Sequence, residues 1–125
     1  MPFTVDPIRM YENVNGICTV LSTGGTLAVG NNQLVVAAVT GYRLRIMGWI
    51  MQSDGATVGK IQFKSASGGT AITGPMGVPT STSGVLDKLP VTDCGYFETN
   101  ISEGLYADIT TAGIYITLFY IKYIP

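Results

Sequence analysis

The run Ile114–Tyr123 (IYITLFYIKY) is apolar on both of its faces. Successive residues of an extended strand point to opposite sides of the sheet. One side of this run carries Ile114, Ile116, Leu118 and Tyr120. The other carries Tyr115, Thr117, Phe119, Ile121 and Tyr123. A strand with one wet face alternates apolar with polar residues, so this run asks for cover on both sides. Gln33–Val39 behaves alike, with Leu34, Val36 and Ala38 against Val35, Ala37 and Val39. Thr57–Lys64 is the contrast: Ile61 and Phe63 point one way, and Lys60, Gln62 and Lys64 the other. Tyr42–Met51 reads as mixed. On strict alternation Arg43 and Arg45 share their face with Met47, Trp49 and Met51.

No window keeps the i, i+3, i+4, i+7 apolar spacing of a helix. Val, Ile, Thr, Tyr and Phe fill the apolar runs, and Gly, Asn, Asp, Ser and Pro fill the gaps, as in a β protein. The pattern predicts strands at Gly16–Leu21, Thr26–Ala28, Gln33–Val39, Tyr42–Met51, Thr57–Lys64, Thr70–Thr73, Gly84–Lys88, Cys94–Thr99, Leu105–Thr110 and Ile114–Tyr123. Asp54-Gly55 is the strongest hairpin signal, because both residues tolerate positive φ. Asn31-Asn32, Gly68-Gly69 and Ala112-Gly113 are weaker turn signals. Gly74-Pro75 and Val78-Pro79 bracket a stretch expected to leave the sheet, since proline cannot donate to a ladder. That many short strands in 125 residues imply a closed barrel or a sandwich. The links Ser65–Gly69 and Gly74–Ser83 are long for hairpins, which favours Greek-key crossings. The expected fold is an all-β, jelly-roll-like antiparallel β-sandwich in a single domain. It spans residues 15–125, with residues 1–14 as an extended N-terminal arm.

Only 12% of the residues are charged and the net charge is −1, so nothing in the balance points to nucleic acid or an anionic membrane. No apolar run approaches the roughly 20 residues of a membrane helix. The segment MPFTVDPIRM has no basic n-region and no continuous apolar stretch, which sets the expectation of synthesis in a reducing cytosol without a secretory signal. The apolar surface is then expected to meet protein. Aromatic residues and Met favour interface cores. The expected self-association stripe is Tyr115, Phe119, Ile121 and Tyr123, with Trp49 and Met51 as further candidates. The competing reading is cover from loops or from the arm of the same chain. The arm, with Phe3, Asp6, Arg9 and Glu12, is expected to lie on its own domain, on a neighbouring subunit or, as a docking segment, on another protein.

The chain has no histidine, which removes histidine triads, histidine-ligated metals and histidine general bases. Cys18 and Cys94 read as small buried apolar side chains without an activating imidazole. Asp93, Glu98, Glu103 and Asp108 lie within one region but follow no ligand-loop spacing, and solvated surface charge is the simpler reading. The glycine pairs form neither a dinucleotide fingerprint nor a P-loop. No enzyme activity, cofactor or metal is expected. Arg43, Arg45, Lys60 and Lys64 are read as sharing one wet face, either a docking patch for an acidic partner or plain solvated surface.

Three segments carry a resemblance: TGYRLRIMGWIMQSDGATVGKIQFKSASGGTAITGPMGVP (Thr40–Pro79), GYFETNISEGLYADI (Gly95–Ile109) and the closing IYITLFYIKY. Together they resemble small bacteriophage jelly-roll structural proteins of the capsid decoration (cement) type. The resemblance covers about two-thirds of the chain, and residues 1–32 lie outside it. It implies a homotrimer on the outer surface of the virion, bound to the major capsid protein and stabilising the head. The alternative is a glycan- or receptor-binding module of a phage tail fibre or baseplate, in which Tyr96, Tyr106 and Asn100 would supply the sugar site.

Overall fold

The computed structural model describes residues 21–80, 83–88 and 95–125. The arm residues Phe3, Asp6, Arg9 and Glu12, the two cysteines, Asp93 and most of the first expected strand lie outside them.

The described residues form ten strands and no helix: β1 (Leu21–Leu27), β2 (Gly30–Val36), β3 (Arg43–Ser53), β4 (Gly59–Ser65), β5 (Thr70–Ala71), β6 (Met76–Val78), β7 (Leu86–Lys88), β8 (Phe97–Glu98), β9 (Leu105–Thr110) and β10 (Ile114–Tyr123). Sheet 1 runs β1-β10-β3-β7, with β8 also on β3; sheet 2 runs β2-β9-β4-β5, with β6 also on β4. Every pairing is antiparallel. The two sheets pack as a sandwich. The chain crosses between them at β1–β2, β2–β3, β3–β4, β6–β7, β8–β9 and β9–β10, which is the interleaved Greek-key winding of a jelly roll.

Several turns do other work than expected. Asp54-Gly55 joins β3 to β4, which lie in different sheets, so it is a corner and not a hairpin. Its neighbour is the β9–β10 corner, and the Asp54 N–H donates to the Gly113 carbonyl at 2.9 Å. A Cβ on Gly113 would come within 2.4 Å of the Asp54 carboxylate and 3.1 Å of the Leu27 carbonyl, so a side chain here would make the Asp54 carboxylate move aside. Thr111 sits in the same corner at φ +77°, with Ala112 N–H donating to the Thr110 carbonyl at 2.9 Å. This is a γ-turn closed around a β-branched residue at positive φ, a strained arrangement. Asn31-Asn32 lies inside β2 as a bulge, with Asn32 at φ +57°. Gly68-Gly69 does close a hairpin, β4 to β5. The proline-bracketed stretch stays in the sheet, because Met76–Val78 pairs with Gly59–Ile61 at the edge, where proline is tolerated.

The core lies between the sheets. β3 contributes Leu44, Ile46, Trp49 and Met51, β4 Ile61 and Phe63, β9 Leu105, Ala107 and Ile109, and β10 Ile114, Ile116 and Leu118. Each of the leucine, isoleucine, methionine and phenylalanine side chains among them is worth roughly 1.5–3 kcal/mol when fully buried. Trp49, Phe63 and Phe97 form an aromatic cluster at its centre, with ring centroids 5.4–6.1 Å apart.

Strict alternation fails in β3. Phe119 pairs with Gly48 and Tyr120 with Ile46, which leaves Met47 without a partner across the ladder. One bulged residue shifts every later side chain to the opposite face. Ile46 and Trp49 therefore both point inward, and Trp49 and Met51 belong to the core rather than to the face of Arg43 and Arg45.

Candidate interaction surface

The register of sheet 1 fixes its outer face. The inward stripe of β10 is Ile114, Ile116, Leu118 and Tyr120, and the outward stripe is Tyr115, Thr117, Phe119, Ile121 and Tyr123. Tyr115 lies between Thr26 of β1 and Gln52 of β3. Thr117 lies between Gly24 and Ile50, and Ile50 continues to Asp87 of β7. Phe119 lies between Ser22 and Gly48. Tyr115 is 49% exposed and Ile50 38%, while Phe119 and Tyr123 are half-buried.

Three of the residues expected at this surface are not on offer. Trp49 and Met51 are core residues, placed inward by the Met47 bulge. Ile121 is on the outer side yet only 1% exposed within the single chain. Met47, the bulged residue itself, is likewise fully buried. The exposed apolar stripe is thus Tyr115 and Ile50, continued by Phe119 and Tyr123. Alternation missed Ile50, because it read the strand through the bulge. The signal was Gly48, an isolated glycine inside an apolar strand.

A polar cluster closes one end of this face. Tyr123 donates its hydroxyl to the Glu98 carboxylate, whose other oxygen lies 3.4 Å from Arg45 and 4.0 Å from Arg43. These groups are partly exposed, so the pairs orient side chains more than they stabilise the fold.

The outer face of sheet 2 is of a different kind. It presents Lys60, Gln62 and Lys64 from β4 opposite Thr110, Asp108 and Tyr106 from β9. Lys64 Nζ is 2.9 Å from Asp108 Oδ2, and Asp108 Oδ1 accepts the Asn32 N–H at 2.9 Å. That backbone donor first, and then the Lys64 ammonium, hold the Asp108 carboxyl below its ordinary value. Asn32 Oδ1 accepts the Gly68 N–H at 2.6 Å, so the bulged β2 is tied to the β4–β5 hairpin. Beside these groups lies an open cavity of about 230 Å³, lined by Asn31, Lys60, Gln62, Pro75, Asp108 and Thr110.

Three groupings suggested by the sequence come apart. Arg43 and Arg45 lie on sheet 1, whereas Lys60 and Lys64 lie on sheet 2, so they do not form one patch. Among the acidic residues, Glu98 meets Arg45, Glu103 accepts from the Ser65 hydroxyl at 2.8 Å, and Asp108 meets Lys64. No group of three or more potential metal ligands occurs among the described residues. Tyr96 packs against Trp49 at 5.3 Å beside sheet 1, while Tyr106 is on the outer face of sheet 2. They do not converge on one sugar-sized site.

No helix among the described residues is long and apolar enough to cross a membrane. No family model matches the chain, and no curated protein matches it.

Proposed function

We propose that this protein is a bacteriophage capsid decoration protein that binds the outside of the head shell as a homotrimer and stabilises it. The carrying observation is the unlike chemistry of the two outer faces. Sheet 1 shows Tyr115, Ile50, Phe119 and Tyr123, while sheet 2 shows paired lysine and aspartate. An aromatic face on one side of a charged sandwich suits burial against copies of itself. The N-terminal arm, with Phe3, Asp6, Arg9 and Glu12, makes the contact with the major capsid protein. The mechanism is mechanical: each trimer bridges neighbouring shell subunits, and many weak contacts repeated over a symmetric shell act together. Imaging of the virion tests the reading. Hundreds of three-fold-symmetric copies on the head are expected, and a handful of copies confined to the tail would reject it. Removing residues 1–12 is expected to spare the trimer and weaken shell binding.

The alternative, a glycan- or receptor-binding module of a tail fibre or baseplate, draws on the polar cavity of sheet 2. Its amides, hydroxyl, carboxylate and lysine are groups that hydrogen-bond saccharides. A glycan array on which Lys60→Ala and Gln62→Ala abolish a hit would favour that reading over the head.

A further inference from the structure

A sandwich has four sheet edges, and three of them here are blunted in the ways that suppress strand addition. The β5/β6 edge consists of strands of two and three residues with Pro75 and Pro79 on either side. The β7/β8 edge is as short and carries Asp87, Lys88 and Glu98. β2 is broken by two register shifts, with Asn32 at positive φ. The fourth edge, β1, has none of these features. Its seven residues, LSTGGTL, include no charge and no proline, and they pair with β10 in unbroken register. Among the described residues nothing pairs with its other side.

Two more properties say what fits there. The inward residues of β1 are Leu21, Thr23, Gly25 and Leu27, opposite Tyr120, Leu118, Ile116 and Ile114. Nothing lies within 4 Å of where a Cβ on Gly25 would sit. The gap opens into a cleft of about 170 Å³ between the two sheets, lined by Thr23, Leu27, Leu34, Val35 and Ile116. The strand is also nearly the same read backwards. Antiparallel pairing with a second β1 about Gly24 sets Leu21 against Leu27, Ser22 against Thr26 and Thr23 against Gly25. This register keeps inward residues opposite inward residues, as strand pairing demands. It also places the threonine of one copy beside the glycine gap of the other.

We infer that β1 is a two-fold contact, through which two copies of this chain join their first sheets edge to edge into one continuous sheet. Each copy offers the same strand, the isologous arrangement of a two-fold interface. The contact uses backbone donors and acceptors at the edge and leaves Tyr115 and Phe119 uncovered. It is therefore separate from a three-fold contact through the sheet face, and the two together would link trimers side by side.

Cross-linking tests the register. In a Cys18→Ser, Cys94→Ser background, Gly24→Cys puts two thiols directly opposite each other, within disulfide reach. Gly25→Cys leaves them on a diagonal about 7–8 Å apart, beyond it. Neither glycine has a positive φ, and a Cβ on Gly24 meets only ordinary contacts at 3.6 Å. With oxidised glutathione as the oxidant, the Gly24→Cys protein is expected to form covalent dimers at least tenfold faster than Gly25→Cys. Equal rates, or no dimer from either, would overturn the proposal. A charge exchange checks it without cysteine. Gly24→Lys and Gly24→Glu are each expected to lose the two-fold contact and to recover it when mixed. Failure of the mixture to associate better than either variant alone would also overturn it.

Discussion

Ile46 and Trp49 stand three residues apart in β3, and both side chains point into the core, because Met47 bulges out of the ladder between them. The bulge gives β3 its core-lining tryptophan and turns Ile50 out to the surface of sheet 1. It also leaves the Trp49 indole N–H buried with no acceptor among the described residues.

That orphan donor sets a contrast between two substitutions. Trp49→Ala removes the centre of the aromatic cluster and is expected to cost about 3–5 kcal/mol. Trp49→Phe keeps an aromatic ring and deletes the unsatisfied N–H, whose burial costs about 1–3 kcal/mol. The gain offsets most of the lost ring area, so a change within about 1 kcal/mol is expected. Urea unfolding of the two variants measures the difference.

The γ-turn at Thr111 gives a stabilising prediction. A β-branched residue at φ +77° holds strain of order 1–3 kcal/mol. Thr111→Gly removes it at an entropic cost of about 0.5–1 kcal/mol. The variant is expected to gain about 1 kcal/mol of stability, read as a higher urea midpoint at unchanged slope. Loss of stability would show that the Thr111 side chain contributes more than its backbone costs.

Asp108 gives a pH prediction. Its folded-state pKa is lowered, first by the Asn32 N–H and then by Lys64. A lowered folded pKa means that the contribution is present above the unfolded value, near pH 4, and is lost as pH falls through the folded one. Stability is expected to decline below about pH 4 in the wild type, and the decline is expected to be shallower in Asp108→Asn. Thermal unfolding between neutral pH and pH 2 checks the slope. Identical profiles would remove Asp108 from the acid response.

Much of this fold is legible in the residues, and the exceptions have physical causes. Ile61 and Phe63 against Lys60, Gln62 and Lys64 place β4 correctly, since alternation reports the faces of an unbroken strand. The inward set of β10, Ile114 to Tyr120, is one of the two stripes that alternation separates, but only the packing of β3 and β1 decides between them. In β3 the same rule misassigns Trp49 and Met51, because one bulged residue inverts the parity of all that follow. Asp54-Gly55 announces a tight reversal without saying which sheet the next strand joins. That choice separates Arg43 and Arg45 from Lys60 and Lys64. Ile121 is outward by parity yet buried, a matter of what lies above the sheet, which strand periodicity does not encode.

The central claim is that copies associate through the outer face of sheet 1. Sedimentation equilibrium of the full chain and of Tyr115→Lys tests it most directly. Tyr115 is exposed and Lys fits an exposed strand position, so the fold is expected to persist while a charge enters the contact. The wild type is expected at a mass of three chains or a multiple of three, and Tyr115→Lys at least tenfold weaker in association, about 1.4 kcal/mol. A wild type that remains monomeric at micromolar concentration, or a trimer indifferent to Tyr115→Lys, would contradict the account.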